Sequence, residues 1–150
     1  MNKNIVNFKD FMLNEKKSDK KVYFFHPKSI FDTRAESQAL ELINIYFDNP
    51  FVYNTPEIRG SFYKFVDDVN TVIILPYVNG LISPRTFRRL TYSFERGYPA
   101  FYIHPKKYKI IKIENLEFFE EKTMSKDEWQ ETVQNDNIED YFTDVEDLNK

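Results

Sequence analysis

From Lys21 onward the chain alternates short β-type runs with helical patterns, and this constrains its fold more than any other feature. Such alternation is the signature of βαβ units around a largely parallel sheet. Five strands are predicted: Val22–Phe25, Phe51–Tyr53, Thr71–Leu75, Ala100–Ile103 and Lys109–Ile113. The third, Val72-Ile73-Ile74-Leu75 after Thr71, is continuously apolar, as a strand covered on both faces should be. The fifth is charged and alternates only in part, which predicts an edge strand or a partly solvated one.

The helical stretches carry their own start and stop signals. Thr33-Arg34-Ala35-Glu36 matches a capping box, and Ala39, Leu40, Leu42, Ile43 and Phe47 give the helix after it a broad apolar face. A second helix, Glu57 to Asp68, spaces Ile58, Phe62, Phe65 and Val66 or Val69 for burial. A third opens at Ser83-Pro84, turns Phe87, Leu90 and Phe94 inward and stops at Gly97 before Pro99. Residues 1–20 read as an amphipathic peptide, with Ile5, Phe8 and Met12 at helical spacing, followed by the polar linker Lys16–Lys20. Residues 21–115 read as the α/β domain. Residues 116–150 read as an acidic tail with a short helix started by Ser125-Lys126-Asp127-Glu128, carrying Trp129 and Val133 and able to dock on the body.

Composition narrows the chemistry. A length of 150 residues predicts one domain with tails, and 15 Phe with 10 Tyr supply its core. The absence of cysteine removes disulfides, thiolate metal sites and thiol nucleophiles, and suits a reducing compartment or a virion interior. Two histidines do not make a common metal site and three glycines argue against a Gly-rich phosphate loop, so neither metal nor cofactor is expected. No run approaches a membrane span and no secretory h-region opens the chain, so it reads as soluble and not secreted, located in a virion interior or a host cytoplasm. The net charge of -3 hides an asymmetry: residues 116–150 hold 12 acidic and three basic side chains, net -9, leaving +6 on residues 1–115. A basic body with an acidic segment fits anion binding by the body with the tail as competitor or solubiliser, although such a tail is more often simply solvated and disordered. Because the basic residues are dispersed and the whole chain is acidic, duplex nucleic acid is disfavoured as a partner.

In an open parallel α/β sheet, ligands bind beyond the carboxyl ends of the strands. That rule selects the loops His26-Pro27-Lys28-Ser29, Asn54-Thr55-Pro56, Pro76 to Ser83, and His104-Pro105-Lys106-Lys107. The strongest anion signal is the start of the third helix, where free N–H groups, the Ser83 hydroxyl and the Arg85 guanidinium could converge, with Arg89 one turn on. The bland alternative makes Ser83 a cap and the arginines a solvated face. His26, Lys28, Asn54, Tyr77, Asn79 and Gly80 complete the candidate ligand contacts. His104 reads chiefly as a loop residue, and Asp67 and Asp68 are either sugar contacts or turn caps.

Tyr23-Phe24-Phe25-His26-Pro27, the Asp32-to-Glu36 helix entry, Asn54 before proline, Asp67-Asp68 before Val72–Pro76, Asn79-Gly80, and Glu95-Arg96-Gly97-Tyr98-Pro99 together resemble the nucleoside 2-deoxyribosyltransferase-like superfamily over roughly residues 21–105. The resemblance implies a flavodoxin-like (Rossmannoid) doubly wound sheet with helices on both faces, a nucleoside or nucleotide pocket at the strand ends, and a homodimer in many members. It also implies a glutamate nucleophile in the helix after strand three, a place taken here by Arg88 or Arg89, so standard glycosyl transfer is in doubt. Separately, Asn7–Glu15, ending Leu13-Asn14-Glu15, resembles the capsid-targeting peptides of internal head proteins in T-even-type bacteriophages, which implies cleavage after Glu15 with Leu13 in the recognition site.

The combined expectation is a phage-type accessory protein that binds a nucleotide or related phosphorylated metabolite without glycosyl transfer. One alternative is a nucleoside, nucleotide or NAD N-glycosidase with a repositioned carboxylate, for which Asp67, Asp68 and Glu95 are the catalytic candidates. Another is a host-factor-binding protein acting through the acidic tail.

Overall fold

The computed structural model describes residues 20–54, 61–69, 71–135 and 137–143. The strands β1 (Lys21–Phe25), β2 (Phe51–Tyr53), β3 (Val72–Ile74), β4 (Ala100–Ile103) and β5 (Ile110–Lys112) form one sheet in the order β2-β1-β3-β4-β5. The first four are parallel, with Tyr23 level with Val72 and Val72 level with Ala100. β5 closes the far edge antiparallel to β4, with Tyr102 opposite Ile111. This is the doubly wound, flavodoxin-type order expected for the chain.

Helices α1 (Arg34–Tyr46), α2 (Ser61–Val69) and α3 (Pro84–Glu95) connect the parallel strands, and α4 (Glu117–Glu120) and α5 (Lys126–Asn135) follow β5. Strand alternation divides the core in two. Val22, Phe24, Ile73 and Ile103 pack beneath Ala35, Ala39 and Ile43 of α1. Tyr23, Phe25, Val72 and Ile74 pack against Phe62, Val66 and Val69 of α2 and Leu90 of α3. Every residue of β3 is buried, as its continuous apolar run required.

The local signals act as read, with one departure. Ser83 accepts from the Thr86 N–H, Pro84 takes the first helical position, and Gly97 leaves α3 at φ +75°, a conformation glycine adopts without steric cost. No glycine ends α1; Asp48 and Asn49 both adopt φ 58° instead. The Ser125 box is complete, since Glu128 N–H donates to Ser125 Oγ (3.1 Å) and Ser125 N–H to Glu128 Oε1 (2.8 Å). At Thr33 half of the box forms: Thr33 accepts from Glu36 N–H, but the Glu36 carboxylate passes the cap and accepts from Asp32 N–H at 3.0 Å. Asp32 itself sits at φ 63°.

The acidic segment is part of this packed unit. Phe119 joins the core under α2 and α3, whereas Tyr141 and Phe142 join the core under α1. The chain between them therefore crosses from one face of the sheet to the other, next to the loops after β3 and β4. Expectations for residues 1–19, including the helix of Ile5, Phe8 and Met12 and the Leu13/Glu15 cleavage site, lie outside the described residues, as do Thr55, Pro56 and Ile58. Among the described residues no helix is long and apolar enough to cross a membrane.

Candidate ligand-binding crevice

Strand order reverses between β1 and β3, and their carboxyl ends mark the position where doubly wound sheets hold ligands. On the α1 side of this point lies a polar cluster. The His26 ring Nε2 is 3.0 Å from Glu36 Oε2 and 3.0 Å from Asn54 Oδ1, and its Nδ1 is 2.8 Å from the Pro27 carbonyl. Asn54 Nδ2 donates to Glu36 Oε2 at 3.2 Å. The His26 side chain is fully enclosed, with Phe24 and Phe31 against its ring at 4.9 and 4.3 Å. Burial holds its pKa below the ordinary 6.5, against the upward pull of the Pro27 carbonyl, Glu36 and Asn54. A neutral ring donates from only one of its nitrogens, and with acceptor oxygens at both this histidine sits where the ends of β1 and β2 meet the start of α1. His26 and Asn54, expected as ligand contacts, are instead joined to each other in this enclosed cluster; the sequence did not show Glu36 as their partner, because its capping-box position masked a contact 18 residues away.

The anion cradle expected at the start of α3 is not assembled. The Ser83 hydroxyl is used on Thr86, accepting from its N–H at 3.2 Å and donating to its Oγ1 at 3.1 Å. Arg85 is exposed, while Arg89 is buried with its guanidinium 5.3 Å from the Phe62 ring and 5.8 Å from that of Phe25. A step of four residues turns the helix by about 40°, enough to separate two side chains across the boundary of a buried stripe. Lys28 is exposed on a 3-10 turn.

Open space lies instead on either side of the β3–α3 loop. A cleft of about 240 Å³ is lined by Asn79, Gly80, Tyr102, His104, Phe118 and Lys122 among others. A larger one, about 490 Å³, shares Val78 and Asn79 with it and continues past Lys106 to the underside of α5. The loop between them is shaped by Gly80 at φ +85° and by Asn79 Oδ1, which accepts from Leu81 N–H at 3.0 Å. Tyr77 OH accepts from Trp129 Nε1–H at 3.0 Å, so it is engaged with α5. His104 Nδ1 accepts from Lys106 and Lys107 N–H, both at 3.1 Å, and thereby orders the β4 loop. Tyr102 stacks on Phe118 at 5.4 Å and 26°, and Lys122 Nζ lies 4.8 Å from the Phe118 ring centroid. Tyr102, Phe118 and Lys122 were not expected in the site, because one reads as a strand residue and the others as tail.

The candidate catalytic residues belong to elements remote from these clefts. Asp67 and Asp68 fall in the last turn of α2, ahead of β3, and Glu95 ends α3, ahead of β4. All three therefore belong to the amino end of the sheet. The length of α3, about 18 Å for 12 residues, separates Glu95 from the crevice.

No family model and no solved structure matches the chain. It is similar to the uncharacterized protein ORF161a of Acidianus two-tailed virus, 37% identical over 54 residues, which are 35% of this chain and 32% of that protein. The chain thus aligns with about a third of its viral relative.

Proposed function

We propose that this chain binds a nucleotide-like, phosphate-bearing metabolite at the carboxyl ends of β3 and β4 without cleaving its glycosidic bond. The observation that carries this reading is the arrangement of the stacked Tyr102–Phe118 pair, Lys122 and the Asn79-Gly80 loop around one cleft. A planar base has half-exposed Phe118 to stack on there, with Lys122 offering an ammonium group to the phosphates and Lys106 a second one from the adjoining cleft. The reading without turnover is supported by where the acidic residues lie: Asp67, Asp68 and Glu95 belong to elements at the opposite end of the sheet, and Arg88 or Arg89 takes the place that the deoxyribosyltransferase resemblance gives to a nucleophile. Glu36, at the start of α1, accepts from Asp32 N–H and Asn54 Nδ2 and lies against His26. The similarity to a viral protein supports placing the chain among virus-encoded accessory proteins.

Calorimetric titration with ATP, NAD and ADP-ribose, with chromatography of each mixture for released base, tests this reading. Phe118→Ala, at a half-exposed ring, should weaken ATP about tenfold while leaving inorganic pyrophosphate unchanged. Lys122→Ala should weaken both ligands about tenfold. Failure of all three nucleotides to bind at millimolar concentration, or release of base that purification does not remove, would overturn the proposal.

A further inference from the structure

The larger cleft is roofed by the chain's own acidic segment, and we propose that α5 and the 3-10 turn Ile138–Asp140 form an autoinhibitory strap that competes with an anionic ligand for the carboxyl-end crevice. The inference rests on the ligand-binding reading above and adds its regulation.

Both ends of the strap are anchored. Before it, Thr123 bridges Ile82, with Ile82 N–H donating to the Lys122 carbonyl and Met124 N–H to the Ile82 carbonyl, both at 2.9 Å. After it, buried Tyr141 donates its hydroxyl to the Pro76 carbonyl and Phe142 N–H donates to the Pro105 carbonyl, both at 2.7 Å. Pro76 follows β3 and Pro105 follows β4, so the strap spans the strand ends at which the ligand is placed.

The middle is loose by comparison. No residue of α5 is buried, Val133 is 47% exposed, and Trp129 latches the helix to Tyr77 through a single N–H. A ten-residue helix is marginal in isolation, so α5 has little cohesion of its own to lose by lifting. Beneath it, Glu128, Glu131 and Asp140 share the cleft with Lys106. Among the described residues none of the three carboxylates forms an ion pair with that lysine. They set negative charge around the cation that a phosphate needs. An anion entering the crevice must displace these carboxylates or be repelled by them.

The test compares the full chain with a variant carrying Glu128→Gln, Glu131→Gln and Asp140→Asn, substitutions that keep the acceptor oxygens, including the one that receives Ser125 N–H. ATP and inorganic pyrophosphate are titrated calorimetrically, and the fluorescence of Trp129, the chain's only tryptophan, reports the strap. The expected result is ATP binding about five- to thirtyfold tighter in the variant, with ATP shifting Trp129 emission and accelerating amide exchange across residues 126–135 of the unmodified chain. Glu131→Gln alone should move affinity the same way if the triple variant folds poorly. Equal affinities, or slower exchange in α5 on ATP binding, would overturn the strap and leave the ligand site standing. No binding of either probe to either protein would overturn the site and the strap together.

Discussion

Replacing Glu36 with alanine isolates the contribution of its cluster with His26 and Asn54. Its carboxylate accepts from Asp32 N–H and Asn54 Nδ2 and lies 3.0 Å from His26 Nε2, and Glu36 is only 8% exposed. After truncation His26 still has Asn54 Oδ1 at 3.0 Å, but Asp32 N–H and Asn54 Nδ2 lose their acceptor. Each buried donor left unsatisfied costs about 1–3 kcal/mol, so the expected loss is about 3–4 kcal/mol. For a chain of this length that corresponds to a fall in Tm of about 10 °C. Glu36→Gln keeps an oxygen for Asp32 and should lose only about 1–2 kcal/mol. Urea unfolding followed by far-UV circular dichroism at pH 7.5 measures both, since Trp129 sits on the strap and reports local as well as global opening. A loss below about 1 kcal/mol for the alanine variant would show that the cluster is already solvated and clamps nothing.

Three further outcomes follow from the same structure. The folded-state pKa of His26 lies below the unfolded 6.5, so the unfolded chain binds more protons; stability is therefore full above pH 6.5 and declines as pH falls from there through the lowered value. Comparing urea midpoints of the unmodified chain and His26→Gln between pH 7.5 and 5 should show the decline attenuated in the variant, and an unchanged decline would assign it to other groups. Tyr141→Phe removes a 2.7 Å buried hydrogen bond to the Pro76 carbonyl and should cost about 1–2 kcal/mol in urea unfolding; no loss would place that carbonyl in contact with water. Ser83→Ala should cost about 1 kcal/mol through its lost cap while leaving ATP affinity unchanged; a tenfold weaker affinity would return Ser83 to the ligand site.

The elements most legible in the sequence are those whose cause is local. The apolar run Val72–Leu75 identifies a central strand because only burial on both faces tolerates it, and charged Lys109 and Lys112 mark the edge. Ser83-Pro84 and Ser125/Glu128 define helix starts within four residues, and the hydrogen bonds follow. The site is less legible because its contacts depend on strand order. Glu36 satisfies a capping pattern, but its carboxylate is drawn away by His26 and Asn54, which become neighbours only because β1 and β2 are adjacent. Tyr141 and Phe142 stand between Asp140 and Asp144, where charge density suggests solvation, yet both rings enter the core.

That last discrepancy bears on function. A solvated acidic tail would act on the body only through a long-range field, screened within about 8 Å at physiological salt. Buried Tyr141 and Phe142 at one end and the Thr123 bridge at the other hold Glu128, Glu131 and Asp140 over the carboxyl ends of β3 and β4. Phe142 adopts φ 63°, a costly conformation for a bulky side chain, maintained here by its hydrogen bond to Pro105 and its ring contact with Tyr108 at 5.1 Å. The aromatic anchors therefore turn a diffuse charge excess into carboxylates placed along the cleft that the proposed ligand would enter.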